Sequence, residues 1–186
     1  MPDEVESHLL TIFDIVTGWL KFAETKAAVL VALTGTATSG LGYIISQAYA
    51  DVPTPLGVGL LATELCLVGS LAVALLSFLP QTELARFLTK SEETPTGDDN
   101  LYYFGHLYKY APRHLAERIA LLYAGEQHYD ATRHRSHVDL AAQIIANSRI
   151  TITKFRLFTI ASSLLAVAGL VLLVSLIVTA LGSFNT

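Results

Sequence analysis

Three apolar blocks constrain this chain more than any other feature of its sequence. They cover residues 27–50, 52–80 and 157–186, and Glu64 is the one charged residue within them. Asp51 lies between the first two blocks. A helix rises about 1.5 Å per residue, so each block can cross the roughly 30 Å of hydrocarbon in a bilayer. Charged residues make up 15% of the chain, whereas a soluble domain has about a quarter. The sequence therefore predicts an all-α membrane protein with three transmembrane helices.

The basic residues indicate how the chain is oriented. Lys21 and Lys26 precede the first block, and every other Lys or Arg lies between the second and third blocks. Basic residues accumulate on the cytoplasmic side of a membrane. We therefore expect a cytoplasmic N-terminus, an outer loop at Asp51, and an outer C-terminus, in the inner (plasma) membrane of a bacterium.

The segments outside the blocks have helical periodicity. An amphipathic pattern begins after Asp3, which is in a capping position, and continues without a breaker into the first block. From Glu126 there is no breaker before Gly169. The patterns predict long cytoplasmic extensions of the first and third spans that form a helical bundle. The expected domains are a cytoplasmic helix (1–25), two spans with a short outer turn (26–80), a cytoplasmic helical segment (81–155), and the third span with an outer tail (156–186).

Small residues within the first span are candidates for close helix contacts. Gly35 and Ser39 are four residues apart, as are Thr36 and Gly40, and this spacing permits close approach of two backbones. The contact is either between spans of one chain or between subunits, with a polar pore lining as a further alternative. Three helices cannot enclose a channel alone, so a conducting state would need several subunits.

Glu64 is predicted to be a pore or gate residue. An ionised side chain at the centre of a span costs about 2.5–3.5 kcal/mol on insertion scales, so Glu64 should face protein or water, or be protonated. The alternative is a protonated or hydrogen-bonded packing residue near the outer leaflet.

One segment between the second and third blocks combines aromatic and basic side chains. Aromatic rings stack on bases and Lys or Arg binds phosphate, which suits a small nucleotide. The same composition suits a patch that lies against the inner leaflet. The candidate ligand-binding residues are Tyr102, Tyr103, His106, Lys109, Arg113 and Arg118.

Histidines before the third span raise the question of a metal site. Asp130, His134 and His137 are spaced i, i+4 and i+7, which on one helix would suit zinc. Arg133 and Arg135 flank them and oppose a cation, and no residue that would orient the histidines is evident. We interpret this segment as a solvated charged face, and expect no metal and no cofactor.

The sequence contains no signature of an enzyme. Cys66 is the only cysteine, which excludes a disulfide or a cysteine-based zinc site within one chain. HExxH, a nucleophile elbow, a P-loop and GxGxxG do not occur. We therefore expect a protein without catalytic residues.

Three stretches resemble a known family. They are "W…AETKAAVL" before the first span, "YYFGHL" in the middle of the chain and "DLAAQIIANSRITITKF" before the last span. They are similar to the membrane effectors of Pycsar antiphage defence, in the same order and over most of the chain. The residues that match these motifs, and that the resemblance marks for membrane coupling, are Trp19, Glu24, Lys26, Gln143, Asn147, Ser148 and Lys154.

The resemblance implies a specific function. A neighbouring pyrimidine cyclase makes cyclic CMP or cyclic UMP on infection, the effector responds, the membrane loses integrity, and abortive infection follows. We expect a homo-oligomer in the lipid bilayer that binds no nucleic-acid polymer. No β-barrel nucleotide-binding domain is recognisable, so the cytoplasmic helices would sense the nucleotide, between subunits. The alternatives are a non-enzymatic membrane adaptor or scaffold, and a small constitutive channel subunit.

Overall fold

Helices form the regular structure of the chain, which a computed structural model describes over residues 3–48, 53–79 and 94–183. No strand occurs in these ranges. The helices are α1 Glu4–Ala48, α2 Thr54–Leu76, α3 Phe104–Leu107, α4 Pro112–Tyr123 and α5 Arg135–Ser183. Helices α1, α2 and α5 are long and apolar enough to cross a membrane. The prediction of an all-α protein with three transmembrane helices is confirmed. The outer turn at Asp51 and the expected boundary between residues 80 and 81 lie outside the described residues.

Helix α1 is one continuous element of 45 residues. Asp3 caps its start, because the amide of Glu6 donates a hydrogen bond to Asp3 Oδ1 at 2.7 Å. The acidic residues Glu4 and Glu6 in the first turn complement the partial positive charge of a helix N-terminus. Gly18 does not interrupt the helix. The prediction that the N-terminal helix continues into the first span is confirmed.

Helix α5 runs unbroken from Arg135 to Ser183, so the prediction that a long helix continues into the third span is confirmed, although the helix begins nine residues after Glu126. Gly125 follows helix α4 with a φ of 68°, in the left-handed region that favours glycine. Asp130 Oδ1 then accepts hydrogen bonds from the amide and the hydroxyl of Thr132 at 2.9 and 2.6 Å. Such local side-chain bonds stabilise a turn in competition with a helix. The turn therefore delays the helix until Arg135.

The chain divides into two compact units. We call residues 1–23 with 80–155 the core unit, and residues 24–79 with 156–186 the span unit. Helices α3 and α4 belong to the core unit and α2 belongs to the span unit. Helices α1 and α5 each contribute residues to both units, without a break in either helix.

A hydrophobic core fills the core unit. Helix α1 contributes Val5, Leu9, Ile12 and Val16, which are at most 1% exposed and form one stripe at helical spacing. Burying a large aliphatic side chain contributes about 1.5–3 kcal/mol, so this stripe attaches the first half of α1 firmly to the rest of the unit. The remaining helices supply Phe104, Leu107, Leu115, Ala116, Ile119, Ala120, Ala141, Ile144 and Ile145.

Small and polar groups connect the helices of the span unit. Leu30, Ala74 and Ala161 form a buried cluster, with one residue from each long helix. Ser70 Oγ on α2 donates a hydrogen bond to the carbonyl of Ala161 on α5 at 2.7 Å. Hydrogen bonds between spans typically contribute about 0.6–2 kcal/mol. Helices α2 and α5 are therefore fixed to each other by packing and by this bond.

A close approach of two helices occurs at a glycine outside the small-residue pattern of the first span. A Cβ atom on Gly59 of α2 would overlap the side chain of Ser175 on α5. A Cβ atom on Gly35 or Gly40 of α1 would meet no atom of the described residues within 4 Å. Among the described residues of one chain, these two glycines of α1 therefore make no close contact with another helix.

Replacing Gly59 with alanine should destabilise the span unit, because the added methyl group has no room beside Ser175. Overpacking of this kind costs about 1–3 kcal/mol. Thermal unfolding of the detergent-solubilised protein measures the effect. We expect a lower Tm for Gly59→Ala, an unchanged or higher Tm for the control Gly35→Ala, and recovery in Gly59→Ala/Ser175→Gly. Equal Tm values for Gly59→Ala and wild type would contradict the close approach of α2 and α5.

Candidate functional site

Asp99 organises the loop of residues 94–111, which includes the short helix α3 and carries four of the six predicted ligand-binding residues. Its side chain is 4% exposed, and Lys109 Nζ lies 3.4 Å from Oδ1. Asp99 Oδ2 accepts hydrogen bonds from the Thr96 amide at 2.9 Å and the Tyr110 hydroxyl at 3.2 Å. Burial raises the pKa of Asp99, but the bonds from Thr96 and the ammonium of Lys109 outweigh it and hold the pKa below the ordinary 3.8. Asp99 is therefore an ionised centre to which the loop is tied.

Two of the predicted phosphate-binding cations also hold this loop. Lys109 pairs with Asp99, and Arg118 Nη2 donates a hydrogen bond from α4 to the carbonyl of Gly97 at 2.9 Å. Arg113, in the first turn of α4, is exposed. Of the three cations, Arg113 is thus the one whose charge faces solvent.

Tyr103 presents an accessible aromatic ring. It is 43% exposed, and its ring lies perpendicular to that of His106 with the centroids 5.3 Å apart. A Cβ atom on Gly105 would overlap the Tyr103 ring, so a larger residue there would displace the ring from this position. His106 Nδ1 accepts a hydrogen bond from the Asn100 amide at 2.9 Å. His106 thus accepts a backbone hydrogen bond that helps to hold the loop.

Tyr102 is engaged with a histidine that sequence reasoning missed. The Tyr102 hydroxyl lies 2.7 Å from His8 Nδ1. Tyr123 packs on both residues, with ring centroids 5.4 Å from Tyr102 and 5.5 Å from His8. Tyr102 therefore links the loop to α1. Its role as a ligand-binding residue, like that of the other five candidates, stays a prediction.

Four aromatic side chains cluster in the part of the core unit that adjoins the span unit in sequence. Phe104 and Phe155 stack with centroids 5.7 Å apart, and Trp19 lies 5.6 Å from Phe104 and 5.9 Å from Phe22. Trp19 is nevertheless 41% exposed. Together with Ile15, Gly18 and Phe22, it lines an apolar depression of about 400 Å³. Trp19 thus packs within the protein and also presents an open face.

The residues matched to the coupling motifs lie in both units. Ser148 is buried and donates a hydrogen bond to the carbonyl of Ile144 at 2.7 Å, and Lys154 is 7% exposed. In the span unit, the ammonium of Lys26 lies 5.3 Å from the centroid of the Phe158 ring, a cation–π contact. The core unit holds Trp19, Gln143, Asn147, Ser148 and Lys154, and the span unit holds Glu24 and Lys26. Their role in coupling stays a prediction.

Glu64 lies on α2 and faces α1. A Cβ atom on Gly42 would be 3.6 Å from Glu64 Oε1. Glu64 Oε2 is buried and has no hydrogen-bond partner in the described part of the chain. Leaving a buried polar atom unpaired costs about 1–3 kcal/mol, so the position requires an explanation other than packing. The assignment of Glu64 to a pore or gate stays a prediction.

Three side chains of the types that bind metals lie close together around His137. They differ from the set that the sequence spacing suggests, which is Asp130, His134 and His137. Asp3 joins His134 and His137, with ligand atoms all within 4.8 Å of one another. Asp130, which the spacing placed with the histidines, instead pairs with Arg133 at 3.3 Å. The sequence signal that could have indicated Asp3 is its capping position, which puts it at the start of α1.

Tyr129 completes this group. Its hydroxyl lies 2.9 Å from His137 Nδ1, and its ring stacks on the rings of His134 and His137. Burial, and then the charges of Asp3, Glu126 and Glu117, raise the pKa of Tyr129 to about 12. The phenol is therefore neutral at physiological pH and can donate or accept one hydrogen bond.

These features define a class of protein, namely a three-span helical membrane protein. Its first and third spanning helices, α1 and α5, extend into a folded unit that carries a loop. Residues 8–182 match the family model described as the Pycsar effector protein domain, PycTM. The chain belongs to this family, and the resemblance seen in the sequence is confirmed. It is a Pycsar effector of antiphage defence, from a family not known to be catalytic. No curated protein and no solved structure matches the chain.

Replacing Asp99 with asparagine should loosen the loop, because the ionised acceptor for Thr96, Tyr110 and Lys109 is lost. Bonds to a charged group contribute about 1.5–3 kcal/mol. Thermal unfolding should show a lower Tm for Asp99→Asn at pH 7 and no change for the neighbour Asp98→Asn, which is exposed.

The difference between wild type and Asp99→Asn should also depend on pH. The pKa of Asp99 is lowered from 3.8 in the folded protein, so its ionised form stabilises the fold above that pH. This contribution is lost as the pH falls through the folded pKa. The two Tm values should therefore converge below about pH 4. A difference that stays constant down to about pH 3 would contradict the role of the carboxylate charge.

Proposed function

We propose that this effector binds cyclic CMP or cyclic UMP through its core unit and then disrupts the inner membrane as a homo-oligomer, which causes abortive infection. The observation that carries this proposal is the continuity of α1 and α5, each of which belongs to both units. A nucleotide that binds one arrangement of the core-unit helices more tightly shifts the population toward it. The same two helices then transmit the change to the spans.

The exposed Tyr103 ring and the exposed Arg113 guanidinium support the proposed nucleotide site. A pyrimidine base can stack on an aromatic ring, and guanidinium can bind the cyclic phosphate. Lys109 and Arg118 already hold the loop through Asp99 and Gly97. In this proposal they, with Tyr102 and His106, shape the site, while Tyr103 and Arg113 contact the ligand.

The open glycines of α1 support assembly of several subunits. A methyl group added at Gly35 or Gly40 would have no neighbour within 4 Å among the described residues, and small residues are typical of contacts between spans. A second copy of α1 could approach the backbone there. Three spans alone cannot enclose a conducting path, so a conducting state also needs several subunits.

Glu64 supports a gate in the span unit. Its Oε1 lies beside α1, and its buried Oε2 has no hydrogen-bond partner among the described residues. Movement of α1 would give the carboxyl group access to water or to another subunit. The distribution of Lys and Arg supports a cytoplasmic N-terminus. The nucleotide would therefore meet the core unit in the cytosol, where a neighbouring cyclase makes it.

The buried Oε2 of Glu64, which has no hydrogen-bond partner among the described residues, also favours a second candidate function, a small constitutive channel subunit. Intramembrane carboxylates commonly line ion pathways. This alternative differs in one observable respect, since its leakage needs no nucleotide.

Dye leakage from liposomes tests the proposal. Vesicles that contain the purified protein should release dye with cyclic CMP or cyclic UMP, and should retain it with cyclic AMP or with no nucleotide. Tyr103→Ala should raise the half-maximal nucleotide concentration about 5- to 150-fold, equivalent to about 1–3 kcal/mol of stacking. Arg113→Ala should act in the same direction, and Arg135→Ala is the matched control for loss of an exposed charge.

Two results would contradict the proposal. Vesicles that stay sealed at every concentration of both pyrimidine nucleotides would exclude direct sensing. Equal leakage with and without nucleotide would favour the constitutive channel.

A further inference from the structure

The group formed by Asp3, His134 and His137 has the composition of a transition-metal site. Two imidazoles and one carboxylate are ligands that Zn²⁺ and related divalent ions bind. Within the described residues, these three offer ligand atoms that lie within 4.8 Å of one another. The group lies entirely in the core unit and shares no residue with the proposed nucleotide site.

The distance between the ligand atoms of His137 and Asp3 suits a tetrahedral ion. Bonds of about 2.0–2.1 Å to a tetrahedral Zn²⁺ place two ligand atoms about 3.3 Å apart. His137 Nε2 and Asp3 Oδ2 are 3.4 Å apart. His134 is exposed, so rotation of its side chain can bring its nitrogen to the same centre. Three protein ligands leave the fourth position for water.

Tyr129 supplies the support that a histidine ligand requires. A metal-bound imidazole carries a proton on its other nitrogen, which it donates to a neighbouring acceptor. His137 directs Nε2 toward Asp3 and Nδ1 toward the Tyr129 hydroxyl at 2.9 Å. The ring of His134 stacks on that of His137, with the centroids 5.1 Å apart and an angle of 12° between the planes. The hydrogen bond to Tyr129 thus holds His137 in orientation, while the exposed His134 can still turn toward the same centre.

The surrounding charges permit a cation. Arg133 pairs with Asp130 at 3.3 Å and Arg135 with Asp139 at 3.9 Å, so each flanking guanidinium is accompanied by its own carboxylate. The partial positive charges of the starts of α1 and α5 oppose a cation. The carboxylates of Asp3, Glu4 and Glu6 in and before the first turn of α1 offset that effect.

We infer that Asp3, His134 and His137 bind one divalent transition-metal ion of the Zn²⁺ class. The ion joins the residue that caps α1 to the first turn of α5. It therefore stabilises the core unit at the starts of the two helices that also form membrane spans. This inference does not depend on the proposed nucleotide response.

Metal binding to the untagged full-length protein in detergent tests the inference. The protein is first stripped with a chelator and then titrated with Zn²⁺, or with Co²⁺ as a spectroscopic probe. We expect one ion per chain, a tetrahedral Co²⁺ absorption spectrum, and a higher Tm with metal. His134→Ala should abolish the tetrahedral spectrum and weaken binding at least about tenfold.

Asp3→Asn is a sharper variant, because asparagine caps a helix about as well as aspartate but supplies no charged ligand. It should weaken metal binding while the metal-free protein keeps its helical circular-dichroism signal. Tyr129→Phe should weaken binding about 10- to 100-fold through loss of the hydrogen bond to His137. His114→Ala, which removes an exposed histidine from α4, should bind metal like wild type.

Two results would overturn the inference. One is a Zn²⁺ affinity weaker than about 0.1 mM for the wild-type protein. The other is tight binding that Asp3→Asn and His134→Ala leave unchanged, which would place the ion elsewhere.

Discussion

The thickness of a bilayer is the constraint on which the rest of this structure depends. About 20 residues of helix cross the hydrocarbon, yet α1 has 45 residues and α5 has 49. More than half of each helix must therefore bury its apolar side chains against protein. The core unit meets this need, with α1 contributing the stripe from Val5 to Val16 and α5 contributing Ala141, Ile144 and Ile145. The length of two helices thus explains why the chain has a folded unit beyond its spans.

The loop of the core unit combines rigidity with exposed chemistry. Asp99 fixes the backbone through Thr96, Tyr110 and Lys109, and Gly105 allows the Tyr103 ring to lie across α3. A ring held in this way loses little conformational freedom when a base stacks on it, which favours binding. The same segment that resembled a nucleotide-binding patch by composition is therefore also a folded scaffold. The proposed ligand contacts project from it.

Much of the fold could be predicted from sequence, because apolar length and helical periodicity are local properties. The three spans and the unbroken passage of α1 follow directly from them. Contacts between distant residues could not be predicted in this way. Asp3 lies near His137 only because α1 and α5 begin near each other within the core unit. Asp130 is not part of the histidine group, because its side chain bonds to Thr132 instead. Likewise, the small residues of α1 were visible as a pattern, but the close contact at Gly59 depends on which residue faces it.

The central claim is that continuous helices carry the nucleotide signal from the core unit to the span unit. The most direct test measures nucleotide binding and dye leakage on the same proteoliposomes for Thr25→Gly/Ala28→Gly and for the control Thr25→Ala. Both positions are exposed on α1 beside the junction of the units, and the glycine pair weakens the helix by about 2 kcal/mol relative to the control. The account predicts equal nucleotide binding and a large loss of leakage in the glycine variant. Leakage equal to that of the control at equal nucleotide occupancy would contradict it.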